Sequence, residues 1–449
     1  MATFRSIASV TALLSGGRLA GVGMTFLTQL ILARQLAPEE LGLFFLSSGI
    51  ATALSVFTAL GYPNLAARIL ARARSGRGRD RRDAFLRQAR REMAIASLLA
   101  MLVTLGIAVA VWDLYHAVVI GLGLLSVPPL AQIRLLSQVG NADRRMALAY
   151  LPELVLRPAG LLAAVALAAL FGWPLDATGL IVVFVALSLV VVVWMQLGLD
   201  RPGSRQKPPT PPRRVSRAWR RAATPLILVT LFTAAFADAS VAVAGFFLGL
   251  ADLAVFTLAL KIAWLGGYAI QTIHQAVLAD MADAVQGRRA DRVAHSLVVA
   301  NRLGLVLSLG FVAACWLGGD LMLSIFGPDY AAGGAILTVL AASHAVRAAA
   351  GPSVQILSVS GHSRLLGTLS VVCSLVLVAG MWLFTAVAGP PGAAWAVTFA
   401  MSLWSVASAW LVWTRIGARC DAFASLVPRG AVARAERAAE REEARAGQV

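Results

Sequence analysis

The stretch LARQLAPEELGLFF, residues 32–45, joins two long apolar segments near the start of the chain. The segment before it holds one charge well inside it, Arg18, and the segment after it ends in a dense run of arginines. Pro38, Glu39 and Glu40 form a polar corner between the two. Each apolar segment is long enough to cross a hydrocarbon core of ~30 Å as a helix, so the stretch predicts a transmembrane hairpin.

The same pattern recurs along the whole chain. Of its 449 residues, 59% are apolar and only 14% are charged, far from the composition of a soluble protein. Twelve apolar segments predict an all-α polytopic membrane protein with twelve transmembrane helices. The segments lie at roughly 12–36, 41–67, 93–111, 117–139, 146–170, 177–199, 223–248, 253–279, 296–318, 333–359, 365–388 and 393–414.

The distribution of positive charge predicts the orientation. A net charge of +17 would indicate nucleic acid as a partner for a soluble protein. Here the arginines lie in loops beside the predicted helices, above all in 72–91 and 201–221, and the six loops on the opposite side contain no Arg or Lys. The positive-inside rule therefore places both termini in the cytoplasm, and we expect no nucleic-acid partner.

A basic, Pro-rich segment divides the chain into two halves of six predicted helices each. The predicted parts are an N-terminal bundle 1–199, a cytoplasmic linker 200–222, a C-terminal bundle 223–414 and a cytoplasmic tail 415–449. Residues 41–50 are weakly similar to residues around 253–262. This similarity favours two parallel repeats related by a pseudo-two-fold axis along the membrane normal.

Cations inside the predicted helices are candidates for function, because an unpaired charge in the bilayer is costly. Arg18, Lys261 and Arg347 have no partner in reach along their own helices. We expect them either to line a cavity for an anionic cargo such as a phosphate or to have structural partners elsewhere. Arg134, in the inner third of its segment, either joins such a cavity or extends to the interface.

Two acids, Glu153 and Asp238, also lie deep in predicted helices. An intramembrane carboxylate is a candidate for proton or sodium coupling. The alternative for Asp238 is a structural ion pair with Lys261 or Arg347. Glu153 lies one turn before Arg157, so this pair either neutralises itself or contributes to the cavity.

Prolines inside the predicted helices indicate kinks, because a proline frees a backbone carbonyl from the helical hydrogen-bond pattern. The kinks are expected at Pro128–Pro129, at Pro152 and Pro158 on either side of Glu153, and at Gly351–Pro352. Such breaks are tolerated where a helix borders a cavity.

Several motifs are absent. The chain has no Walker A sequence, no HExxH and no His/Cys cluster, so we expect neither an ATP-driven pump nor a metal or cofactor. The longest predicted outer loop, near 319–332, is too short to carry the catalytic acids of a membrane glycosyltransferase or polymerase. The chain is therefore not expected to be an enzyme.

The order and spacing of several stretches resemble the polysaccharide-transporter branch of the multidrug/oligosaccharidyl-lipid/polysaccharide (MOP) exporter superfamily, the O-antigen and exopolysaccharide flippases. These are Arg18 opening the first helix, the hairpin 30–70, FFLGLADLAVFTLALKI at 246–262, LMLSIFGPDYAAGGAILTVLAAS at 321–343 and GPPGAAWAVTFAMSLW at 389–404. Lipid II flippases of the superfamily have fourteen helices, and twelve points away from that branch.

The resemblance implies two six-helix bundles arranged as a V around a central cavity. It also implies alternating access that moves an undecaprenyl-pyrophosphate-linked oligosaccharide from the cytoplasmic to the periplasmic leaflet of the bacterial inner membrane. Cationic cavity residues would hold the pyrophosphate; Arg18 matches the family by position, and Lys261 and Arg347 match by helix number only. The implied partners are the lipid-linked glycan, the bilayer, a proton or sodium ion and other polysaccharide-assembly proteins, with the chain itself a monomer.

The alternative function is an ion-coupled multidrug exporter of the same superfamily. That class would favour an acid-lined cavity for cationic drugs, whereas intramembrane cations outnumber acids in this chain. A membrane enzyme of glycan assembly is disfavoured by the short outer loops.

Overall fold

A computed structural model describes residues 2–72, 79–199, 213–287, 290–417 and 420–422. All regular elements within these ranges are helical, which confirms the all-α prediction. Nine of the described helices are long and apolar enough to cross a membrane. The chain is therefore a multi-pass membrane protein.

The chain divides into two compact units, and the first is Met1–Ala254. Its described elements are α1 Ala2–Gln35, α2 Pro38–Thr58, α3 Tyr62–Arg72, α4 Arg79–Val111, α5 Leu114–Leu124, α6 Val127–Ala142, α7 Met146–Leu151, a π-helical turn Pro152–Leu156, α8 Arg157–Phe171, α9 Ala177–Leu199, α10 Arg213–Ala234 and α11 Phe236–Ala244. Within this unit α1 packs on α7, the π-helical turn and α8, and α11 packs on α2.

The second unit is Val255–Val449. Its described elements are α12 Leu250–Gly287, which begins in the first unit, α13 Ala290–Ser324, a 3₁₀ turn Pro328–Gly333, α14 Gly334–Ala350, α15 Ser353–Val359 and α16 Ser363–Ile416. Here α14 packs on both α13 and α16.

The first unit includes α10 and α11, although the sequence assigns 213–222 to the linker and the rest of both helices to the C-terminal bundle. The reason is their packing on α2 and α3: Asn64 of α3 donates to Thr230 of α10 at 2.5 Å. Residues 200–212 of the predicted linker and 423–449 of the predicted tail lie outside the described residues. The predicted domain limits stay a prediction.

The expected kinks are present as breaks in the helices. α5 ends before Pro128–Pro129, and α14 ends at Gly351, whose φ of +66° is left-handed. Between Pro152 and Pro158 the chain forms the π-helical turn. A further break at Ala235 separates α10 from α11 and has no proline in it.

The final two predicted helices form one element, α16, interrupted at Gly389 with φ +56° and ψ −135°. This interruption falls between the predicted segments 365–388 and 393–414. The helices α1 and α10 occupy the first and seventh predicted segments without being among the nine clear spans. Each of the twelve predicted segments thus contains helix, and the count of twelve crossings stays a prediction.

An aromatic cluster joins α3, α4 and α10, close in sequence to the arginine-rich stretches 72–91 and 213–221. Phe85 of α4 packs edge-on against Tyr62 of α3 and Trp219 of α10, with ring centroids 5.8 and 5.2 Å apart. All three side chains are buried. The start of α10 is therefore anchored on α3 and α4.

The predicted Pro-acidic corner is part of a second anchor. Glu40 at the start of α2 accepts hydrogen bonds from the Tyr115 hydroxyl at 3.0 Å and from the backbone N–H of Ala177 at 2.8 Å. One carboxylate therefore joins the first turns of α2, α5 and α9.

Candidate substrate and ion site

Arg134 is the centre of a polar cluster within the first unit. It lies on α6, and its Nε donates to the hydroxyl of Ser55 on α2 at 3.3 Å. Arg134 is also within electrostatic range of Glu153, Arg157 and Asp238. Four of the residues singled out from the sequence therefore lie in one region, although they belong to four different elements.

Glu153 lies within the π-helical turn, and Arg157 directly follows it. A π-helix has more residues per turn than an α-helix, so side chains four apart do not stack directly over one another. The guanidinium of Arg157 instead lies over the ring of Phe184 on α9, 5.4 Å from its centroid. The salt bridges within the described ranges of the chain do not include one between Glu153 and Arg157. Both residues are within electrostatic range of Arg134, and the self-neutralising pair stays a prediction.

Arg18 lies on α1, beside the same turn. Its side chain is exposed, whereas the neighbouring Gly21 is buried. Tyr150 of α7 is within electrostatic range of both Arg18 and Glu153. Arg18 is thus placed next to the cluster, with its head group accessible.

Asp238 lies in the first turn of α11, just after the break at Ala235. Its backbone is close to α2: a methyl group on Gly49 would lie 3.3 Å from the Asp238 carbonyl oxygen. Arg134 lies within electrostatic range of Asp238. The predicted alternative, a pair with Lys261 or Arg347, involves the other unit and stays a prediction.

The second unit contains Lys261 on α12 and Arg347 in the last turn of α14, both half-buried. One turn along from each lie Trp264 and His344, whose rings meet edge to face at 5.5 Å. His344 is only 2% exposed. This contact joins the helix face that carries Lys261 to the one that carries Arg347.

A further polar network, not predicted from the sequence, involves Glu92 of α4. One of its oxygens accepts from Arg220 of α10, and the other accepts from the Tyr62 hydroxyl at 2.6 Å. Glu92 directly precedes the predicted third transmembrane segment. Burial alone would raise the pKa of Glu92, but the hydrogen bonds from Arg220 and Tyr62 outweigh it and lower that pKa.

No group of three or more His, Cys, Asp or Glu side chains in the described part of the chain is arranged to hold a metal ion. What the first unit offers chemically is a set of guanidinium groups with two carboxylates. Guanidinium binds phosphate oxygens by bidentate hydrogen bonds, and the carboxylates can bind or release a cation.

We compared the chain with known protein families and solved structures. Residues 7–279 match the sequence family described as "Polysaccharide biosynthesis protein". No curated protein matches the sequence.

Solved structures share the fold over nearly their full length. A multidrug resistance MATE family transporter of the MOP superfamily, inward-facing, has a TM-score of 0.66 at 14% identity, over 91% of this chain and 96% of that one. The lipid II flippase MurJ, inward closed, has a TM-score of 0.70 at 12% identity, over 89% and 87%. A MOP superfamily transporter from Pyrococcus furiosus, described by the reverse polarity of its binding pocket, has 0.57 at 17% identity, over 91% and 95%. At these identities the similarity establishes the fold.

Proposed function

Because this chain belongs to the polysaccharide biosynthesis protein family, we propose that it is a flippase for a lipid-linked glycan. Its cargo is an undecaprenyl-pyrophosphate-linked oligosaccharide, an O-antigen or exopolysaccharide repeat unit. It moves this cargo from the cytoplasmic to the periplasmic leaflet of the bacterial inner membrane by alternating access, without ATP and without breaking a covalent bond. The match of residues 7–279 to the family carries the proposal.

The arginines of the first unit suit the charged part of such a cargo. Arg134 and Arg157 lie within electrostatic range of each other, and Arg18 is exposed beside them. A pyrophosphate offers oxygens to several guanidinium groups at once, and each charge-assisted hydrogen bond is stronger than a neutral one. Lys261 and Arg347 are the candidate cargo-binding cations of the second unit.

The carboxylates have a second role in this proposal. Glu153 and Asp238 balance the arginines while no cargo is bound. A proton or sodium ion that binds to either carboxylate would neutralise its charge and so change the net charge around the arginines during the transport cycle. Both termini are cytoplasmic, as the arginine-rich loops predict, and other polysaccharide-assembly proteins would receive the cargo outside.

Deletion of the gene tests the proposal. In a strain without another flippase, we expect the lipid-linked oligosaccharide to accumulate in the cytoplasmic leaflet and surface polymer to be lost. Spheroplasts given a membrane-impermeant glycosidase measure how much of the glycan faces outward. Normal surface polymer, with the glycan equally accessible to the glycosidase, would contradict the proposal.

The same strain tests the multidrug alternative. If the chain exports cationic drugs, its deletion should increase sensitivity to cationic dyes and leave the glycan distribution unchanged. A flippase gives the opposite result in both measurements.

A further inference from the structure

Pro158 leaves one backbone oxygen without its usual donor. In an α-helix the N–H of residue 158 would bond to the oxygen of Leu154, but proline has no N–H. The chain responds with the π-helical turn, in which the N–H of Arg157 bonds to the oxygen of Pro152, five residues earlier. The Leu154 carbonyl therefore lacks the i+4 donor of an α-helix at the point where a neighbouring helix approaches it.

Helix α1 approaches this carbonyl through a glycine. A methyl group on Gly21 would overlap the Leu154 oxygen and lie 3.1 Å from its carbonyl carbon. The Gly21 Cα is consequently no more than about 3.4 Å from that oxygen, close enough for a Cα–H···O contact. Close approach of this kind is what small residues permit between membrane helices.

Other glycines of α1 differ from Gly21. A methyl group on Gly17 would meet side-chain atoms and no backbone, at 2.9 Å from the end of Leu151 and 3.5 Å from Val155. On Gly16 or Gly23 it would meet nothing within 4 Å. The backbone contact is thus specific to one position of the four.

Arg18 is three residues before Gly21, so the two share one side of α1. Because the Arg18 side chain is exposed, its own packing does not fix the helix. The backbone contact of Gly21 fixes the position of α1, and it thereby also fixes the distance from Arg18 to Tyr150. We propose that Gly21 is a positioning residue: its contact with the Leu154 carbonyl, freed by Pro158, holds Arg18 where the cargo pyrophosphate is bound. This inference rests on the proposed function for the role of Arg18.

The first test measures position without any cargo. Cysteines are introduced at Arg18 and Tyr150 in a chain whose native Cys315, Cys373 and Cys420 are replaced by alanine, and the rate of cross-linking is followed in membranes. We expect Gly21→Ala to lower this rate at least tenfold, and the matched control Gly23→Ala to leave it within twofold. An unchanged rate in Gly21→Ala would overturn the inference.

The second test measures transport per molecule of protein in the membrane. Gly21→Ala should lower glycan translocation at least tenfold, with Gly16→Ala and Gly23→Ala within twofold of the unmodified chain. If Gly21 acts through Arg18, the double variant is no worse than Arg18→Ala alone. A double variant well below Arg18→Ala would mean that Gly21 acts elsewhere, and the inference would be wrong.

The two tests separate the inference from the proposed function. If Arg18→Ala transports normally while cross-linking still depends on Gly21, then the positioning contact stands and the cargo role of Arg18 is wrong. If Gly21→Ala fails to reach the membrane, Gly17→Ala gives a milder displacement, because the Leu151 side chain can move. We then expect a smaller loss in both measurements, and normal values in both would overturn the inference.

Discussion

Arg220 donates two hydrogen bonds to a single carboxylate oxygen of Glu92, at 2.8 Å from Nε and 2.6 Å from Nη2. The two residues are 128 positions apart and lie on α10 and α4. Tyr62 of α3 donates to the other oxygen of Glu92. This carboxylate therefore connects three helices, and one of them, α10, begins at Arg213 within the predicted linker 200–222.

Replacement of Glu92 by glutamine should destabilise the first unit. The amide cannot accept charge-assisted bonds from both Arg220 and Tyr62, and we expect a loss of about 1–2 kcal/mol. The midpoint of heat-induced aggregation in detergent measures the change. Arg217→Ala is the matched control: it removes an exposed cation of α10, the helix of Arg220, and should leave the midpoint unchanged. Equal midpoints for Glu92→Gln and the unmodified chain would contradict this role of the network.

The contribution of Glu92 should also depend on pH. Its pKa is lower in the folded chain than in the unfolded chain, so its stabilising effect is complete above the unfolded value of about 4.3 and is lost as the pH falls through the folded value. The difference in midpoint between the unmodified chain and Glu92→Gln should therefore be constant from pH 8 to 5 and shrink below about pH 4. If this difference in midpoint grew as the pH fell, the pKa of Glu92 would be higher in the folded chain than in the unfolded chain, which would contradict the prediction.

Alanine substitutions at Gly61 and Gly361 distinguish the cost of backbone strain from the cost of steric overlap. Both have positive φ, +70° and +80°. A methyl group on Gly61 would overlap the carbonyl oxygen of Ala223, whereas one on Gly361 would meet nothing within 4 Å. We expect Gly361→Ala to cost about 1 kcal/mol and Gly61→Ala about 2–4 kcal/mol. The yield and melting midpoint of the purified variants measure both costs, and similar values would argue against the close packing of α3 on α10.

The proposed cargo contacts predict a loss of transport without a loss of folding. Arg18→Ala, Lys261→Ala and Arg347→Ala should reach the membrane in normal amounts and fail to restore surface polymer in the deletion strain. Arg134→Ala should fail in the same assay, because it removes a cation that is within electrostatic range of both acids. Ser55→Ala, which removes only one neutral partner of Arg134, should retain most transport. Full complementation by all four arginine and lysine variants would exclude these residues from the site.

The predicted orientation can be measured with reporter fusions. Green fluorescent protein fused at residue 205 or at the C-terminus should fluoresce, because both positions lie on the arginine-rich side. Alkaline phosphatase should be active only when fused on the opposite side, for example at Asp113. Active phosphatase at residue 205 would reverse the assignment.

The sequence predicted helices best where polar signals coincide with the ends of an apolar run. The sixth segment was predicted at 177–199 and is observed as Ala177–Leu199. Asp176 accepts from the N–H of Gly179 at 2.8 Å and so caps the start of this helix. By contrast α4 begins at Arg79 instead of 93, since an apolar run indicates the part in the membrane and not the helical extension beyond it.

The site residues could be predicted singly but not as a group. A charge inside an apolar run is visible in sequence, as it is for Arg134, Glu153 and Asp238. Their grouping depends on how α6, the π-helical turn and α11 pack, and no local pattern encodes it. The hydrogen bonds between Glu92 and Arg220 cannot be predicted from the sequence for the same reason: there, Arg220 is one of many arginines that indicate orientation.

The interruption of α16 at Gly389 means that the last two predicted crossings are joined without a loop. The chain reverses at a residue whose left-handed φ favours glycine, and Pro390 and Pro391 begin the next helix at once. Such a turn presents almost no flexible backbone, so we expect it to resist proteolysis and to offer no extended epitope for an antibody. An inserted epitope tag would have to unwind helix to fit, which makes this end of the molecule a poor place for labels.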